Sequence, residues 1–138
     1  MEDSIFTKII KGDIPGEIIY EDELSAVLLT IQPLTPGHMM IVPKVQIDHL
    51  WDLDDATYHH VFEVARQMAK RLRSGYNYER VGIIVEGFGV PHAHIHVFGY
   101  EKPLEPTIIE HEAYKRANAN HFADPADLKI EAEKLRNQ

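Results

Sequence analysis

His92-Ala93-His94-Ile95-His96-Val97-Phe98 decides how this chain is read. Side chains on a strand alternate between its two faces, so His92, His94 and His96 fall on one face and Ala93, Ile95 and Val97 on the other. The pattern describes a half-buried strand that presents a row of imidazoles. Imidazole titrates near neutral pH and can act as base, acid, nucleophile or metal ligand. A lone histidine is most often a satisfied core or surface group. Three on one strand face point to chemistry.

Outward from that strand, Gly87-Phe88-Gly89-Val90-Pro91 reads as the turn leading into it, and Arg80 to Glu86 as the strand before the turn, through Val81, Ile83 and Val85. The longest helix signal runs from about Asp54 to Ser74. Val61, Val64, Ala65, Met68 and Leu72 recur at helical spacing, acidic residues stand at its start, and Gly75 follows it. Lys70, Arg71 and Arg73 suit the negative end of the helix dipole and read as a solvated end. His59 and His60 read as surface histidines. Toward the N-terminus, Ser4 is expected to cap a short helix carrying Ile5, Phe6, Ile9 and Ile10, closed by Gly12. Strands are expected at Glu17 to Glu21, Ser25 to Ile31 and His38 to Pro43, with Glu21-Asp22-Glu23 as a hairpin turn and Pro33 to Gly37 as a break. Short strands without regular crossover helices argue for an α+β domain with an antiparallel sheet. Beyond Gly99 the composition turns polar, and about Glu105 to Gln138 is expected to hold one or two surface helices separated near Asp124-Pro125.

The 138 residues, 44% hydrophobic and 26% charged, suit one globular domain over 1–138 with a core at about 4–100 and an extension over 101–138. A net charge of -8 argues against broad contact with a nucleic-acid polymer, though not against a single nucleotide held by local donors. Cysteine is absent, which removes disulfides, thiolate catalysis and cysteine-containing zinc sites. With no membrane-length apolar run and no signal-peptide pattern at Met1-Glu2-Asp3-Ser4, the expected location is cytoplasmic, without membrane contact.

The alternating histidines followed by Val97-Phe98 resemble the signature of the histidine triad (HIT) family. Two further stretches strengthen the likeness: Ser4 to Pro15 followed by Ile18-Ile19-Tyr20-Glu21-Asp22, and Pro36-Gly37-His38-Met39-Met40-Ile41-Val42-Pro43-Lys44. The resemblance covers roughly residues 4 to 100. In its N-terminal half it is nearest the histidine triad nucleotide-binding, purine nucleoside phosphoramidase-like branch. It implies a five-stranded antiparallel sheet with helices, and a homodimer joined through the long helix and a sheet edge. It also implies hydrolysis or transfer at the α-phosphate of a small-molecule nucleotide through a covalent nucleotidyl-histidine, with neither cofactor nor metal.

By position in the motif, His94 is similar to the family's nucleophile and His96 to the member that contacts the phosphate and helps protonate the departing group. His92 and His38 resemble supporting histidines that orient the set. Backbone N–H groups of the Gly87–Gly89 turn would stabilise charge in the transition state. Ile5, Phe6, Ile9, Leu28 and Ile31 match positions that enclose the base; the plain alternative for these five is core packing. Relatives place Asp or Asn where Thr30 stands, to hold the ribose. They carry a Gln or a Ser-type hydroxyl near the leaving group, where Phe88 and Gly89 stand, and often a polar residue at Val85.

Two other readings stay open at this level. Three histidines could form a hydrolytic zinc centre with His38 as a fourth ligand, although i, i+2 and i+4 on a straight strand span about 13 Å. A catalytically silent nucleotide-binding or scaffold protein is the other.

Overall fold

The computed structural model describes residues 1–100 and 122–138. Five strands form one antiparallel sheet: β1 (Ile18–Glu21), β2 (Ser25–Leu29), β3 (Met39–Pro43), β4 (Arg80–Ile84) and β5 (Ile95–Tyr100), in the order β1-β2-β3-β5-β4. Alternation along these strands divides the apolar residues between two faces. Val27, Leu29, Met39, Ile41, Ile95 and Val97 point into the larger core, together with Ala93 just before β5. Ala26, Leu28, Met40 and Val42 form the other face with Phe6.

The larger core is closed by α2 (Asp55–Tyr76), whose buried Val61, Val64, Ala65, Met68 and Leu72 are the periodic set expected from sequence. Burying each such side chain contributes on the order of 1.5–3 kcal/mol. Asp54 caps the helix by accepting from the Thr57 N–H. The helix does not stop before Gly75. It continues two residues further, to Tyr76, and ends where Asn77 takes the left-handed conformation at φ 57°, with Tyr76 and Tyr78 stacked on either side of that end.

The smaller face is covered by α1 (Ile5–Lys11). Ser4 is its N-cap and Gly12 ends it at φ 82°, as the sequence predicts. The third helix, α3 (Pro125–Arg136), differs from the expected surface helix. Leu128, Ala132 and Leu135 are buried in the larger core, and Arg136 Nη2 donates to the Ile18 carbonyl at 2.8 Å. A three-residue stripe over twelve positions is too narrow for periodicity to reveal. Any helix expected between 105 and 121 lies outside the described residues. No helix among the described residues is long and apolar enough to cross a membrane.

His60 is a second departure from expectation, since its Nε2 lies 2.7 Å from Asp22 Oδ2 and so pins α2 to the β1–β2 turn. Burial alone would raise the Asp22 carboxyl. Hydrogen bonds from His60, Tyr20 and the Leu24 and Ser25 amides together outweigh it and hold the group well below the usual carboxylate range. A lowered folded-state pKa contributes stability that is present above the unfolded value near 4 and is lost as pH falls below it. Asp22→Ala should therefore cost about 1–3 kcal/mol at pH 7, with the gap between parent and variant narrowing steadily as pH falls below about 4. Urea titrations across pH check it, and an unchanged gap at low pH contradicts it.

Candidate active site

Strand register builds the site. Leu28 pairs with Met40, Met40 with His96 and His96 with Ile84, so one row of the smaller face runs across β2, β3, β5 and β4. The three signature histidines do share that face, but not as one strand. The ladder begins only at Ile95, and His92 and His94 precede it. The reason is local. Ala93 N–H leaves the sheet to bond the Ile47 carbonyl at 2.7 Å, and His92 N–H bonds back to Val90.

A cleft of about 490 Å³ opens beside this row. His38, His94 and His96 line it, as do Ile5, Phe6, Ile9, Leu28, Thr30, Ile31, Gly87 and Gly89. Every one of the eight positions expected to bind substrate therefore faces the same space. Phe6 and Leu28 are also core residues, whereas Ile5 and Ile31 are about half exposed among the described residues and belong to neither core cluster there. Met40, Ile84 and Phe98 line the cleft too and were missed from sequence. The period-two rule applied from His38 and His96 would have found Met40 and Phe98. The lining includes Glu17, Glu86 and, among the described residues, no Lys or Arg.

His92 alone among the four is absent from the cleft. Its ring is fully buried behind Phe6, with centroids 5.7 Å apart. Its Nε2–H donates to the Pro43 carbonyl at 2.7 Å, and its Nδ1 accepts from the Ser4 hydroxyl at 2.6 Å. Burial pushes its pKa down, the Pro43 carbonyl opposes that, and His94 adds to the lowering. Ser4 thus does two things at once, since the same oxygen caps α1 by accepting from Thr7 N–H. Only its capping role was legible in the sequence.

Hydrogen bonds assign the remaining tautomers. His94 Nδ1 lies 2.7 Å from the His92 carbonyl, so Nδ1 carries the proton and Nε2 keeps a lone pair on the cleft side. Leu34 N–H donates to His38 Nδ1 at 3.0 Å, which places the His38 proton on Nε2. That proton donates to His96 Nδ1 at 2.9 Å. A neutral His96 therefore carries its own proton on Nε2. His94 and His96 rings sit edge to face with centroids 5.0 Å apart. One imidazole is set to give an electron pair and its neighbour to give a proton.

The same bonds bear on metal binding. Both His92 nitrogens are engaged, and among the described residues no three His, Asp or Glu side chains converge on a point that could hold an ion.

Residues 11–102 match the HIT domain family. A purine nucleoside phosphoramidase of Escherichia coli K12 is 32% identical over 119 residues, covering 78% of this chain and 94% of that protein. The crystal structure of a Hit-like protein involved in cell-cycle regulation from Bartonella henselae superposes with a TM-score of 0.83 at 25% identity, covering 98% of this chain and 95% of that one. A zinc-bound histidine triad family protein from Mycobacterium smegmatis gives a TM-score of 0.74 at 25% identity, covering 96% and 93%.

Proposed function

The chain belongs to the HIT domain family, and from that premise we propose that it is a nucleotide-binding hydrolase acting at the α-phosphate through a covalent nucleotidyl-histidine on His94. One observation carries this reading. The His92 carbonyl holds the His94 Nδ1 proton and so aims an unshared pair on Nε2 into the cleft. As Nε2 bonds to phosphorus, positive charge develops on the ring and is met by that carbonyl. The bond to the leaving group breaks, and its electron pair departs together with the proton held at His96 Nε2. Water then displaces His94 and returns the proton. Splitting one displacement into two gives each step a good leaving group. Amides of the Gly87–Gly89 turn and the His96 N–H meet the phosphate oxygens.

Two carboxylates and no cationic side chain in the described lining disfavour a highly charged polyphosphate chain. A nucleoside phosphoramidate, with one negative charge at phosphorus, fits that lining better, and the E. coli relative carries that activity in its name. The base lies against Ile5, Phe6, Ile9, Leu28 and Ile31, a mostly apolar wall suited to a purine face. Turnover of a panel of nucleoside phosphoramidates and dinucleoside polyphosphates, with product identification, tests the assignment; activity on none of them refutes it. The protein acts as a homodimer through α2 and a sheet edge, read out as its mass in solution, and works in the cytoplasm.

Ribose recognition should be weak. Thr30 Oγ1 is nearly buried and already accepts from Gln32 N–H at 3.1 Å, which leaves one neutral hydroxyl proton for the sugar. Such a bond contributes about 0.5–1.5 kcal/mol. Deoxyribonucleotides should bind within about a hundredfold, or roughly 2.7 kcal/mol, of the ribonucleotides, as calorimetry can measure. A larger loss contradicts the assignment of Thr30.

A further inference from the structure

We infer that Glu131, on the C-terminal helix α3, is a positioning residue for the His38–His96 pair and acts through the amide of Gly37. The inference rests on the catalytic reading of that pair. Glu131 Oε1 accepts from Gly37 N–H at 2.5 Å, across 94 residues of sequence. The carboxyl is half-buried: burial pushes its pKa up, and the Gly37 amide opposes that.

The turn it holds is the one that delivers His38. Gly37 sits at φ 85°, and a Cβ there would lie 2.7 Å from Leu72 and 2.8 Å from Tyr76, so the backbone is pressed against α2. Tyr78 Oη donates to the Pro36 carbonyl at 2.7 Å, and Thr35 Oγ1 to the Gly99 carbonyl at 2.8 Å. These bonds fix the turn before Gly37. Glu131 takes the N–H of the same Pro36–Gly37 peptide whose carbonyl Tyr78 holds, so that peptide is clamped at both ends, and His38 N–H bonds back to the Thr35 carbonyl at 3.1 Å. One residue later, the His38 ring takes Leu34 N–H on Nδ1 and gives Nε2–H to His96. With the Glu131 clamp gone, the Pro36–Gly37 peptide is held at its carbonyl alone, and its tilt would shift the His38 ring and loosen the bond that keeps the His96 proton on Nε2. A displacement of 1 Å in a catalytic group can cost up to about a hundredfold in rate.

Helix α3 has its own anchors, so its docking is separable from this contact. Leu128, Ala132 and Leu135 are buried, Arg136 bonds the Ile18 carbonyl, and Lys134 lies 4.1 Å above the Tyr76 ring.

The test uses Glu131→Ala, Glu131→Gln and Arg136→Ala in the full chain. Glu131→Ala should lower kcat on a nucleoside phosphoramidate about tenfold with KM little changed. Glu131→Gln, whose amide oxygen still accepts, should restore most of it. Arg136→Ala loosens α3 without touching Gly37 and should leave kcat within about twofold. Nitrogen-15 spectra of the histidine rings supply a readout that needs no substrate. The His38 and His96 signals should move toward mixed tautomers in Glu131→Ala alone. Unchanged tautomers in Glu131→Ala, or equal loss of kcat in Glu131→Ala and Arg136→Ala, overturns the inference. Absence of turnover in the parent refutes the proposed function instead, and the ring spectra still decide for or against Glu131.

Discussion

His94→Ala should abolish turnover, by at least about 10⁴-fold, while the fold survives. Among the described residues His94 is the imidazole placed to attack, so its loss removes the covalent route, and the remaining groups can only bind and polarise. Stability should change by less than about 1 kcal/mol, because His94 is half-buried at the cleft wall and its ring bonds only a neighbouring carbonyl. Two measurements check this. Quenched-flow intact mass of the parent should show one nucleotidyl adduct during turnover, absent from His94→Ala. Chelator should leave the parent's activity in place. Substantial activity in His94→Ala, or loss of parent activity on chelation, removes the covalent-histidine reading and restores the metal alternative.

His96→Ala should be the second large effect, and its size should depend on the substrate. A general acid contributes about 10²–10⁴-fold, and mostly where the departing atom is basic. Alkylamine phosphoramidates should therefore slow by that range, while substrates with acidic phenol leaving groups slow far less. The slope of log kcat/KM against leaving-group pKa should steepen in the variant. An equal loss for all leaving groups would assign His96 to phosphate binding alone. His92→Ala would report differently, since a buried imidazole bonded at both nitrogens couples to folding as well as to His94.

Much of this was legible because period-two alternation is a local property. Ala93, Ile95 and Val97 enter the core whether or not the ladder has begun, so the histidine face was readable although the strand starts only at Ile95. Local capping chemistry likewise marked Ser4 and Gly12. The family likeness marked eight candidate substrate-binding positions, and the structure brings all of them around one cleft.

The tautomers were beyond reach. They depend on which carbonyl or amide meets each ring: Pro43 for His92 comes from a distant strand, while Leu34 for His38 and the His92 carbonyl for His94 are near neighbours whose meeting depends on irregular backbone that no periodicity predicts. The pairing of His60 with Asp22 and of Glu131 with Gly37 was equally hidden, because a polar residue on a helix gives no sign of what lies across from it. The sequence by itself determined the sheet class, the apolar periodicity and the identity of the imidazole row, since each rests on neighbours in the chain. Only the tertiary structure decided that His92 bonds Pro43, that His38 bonds His96 and that the C-terminal helix reaches the turn before His38, since hydrogen bonds between distant segments exist only once the core has brought them together.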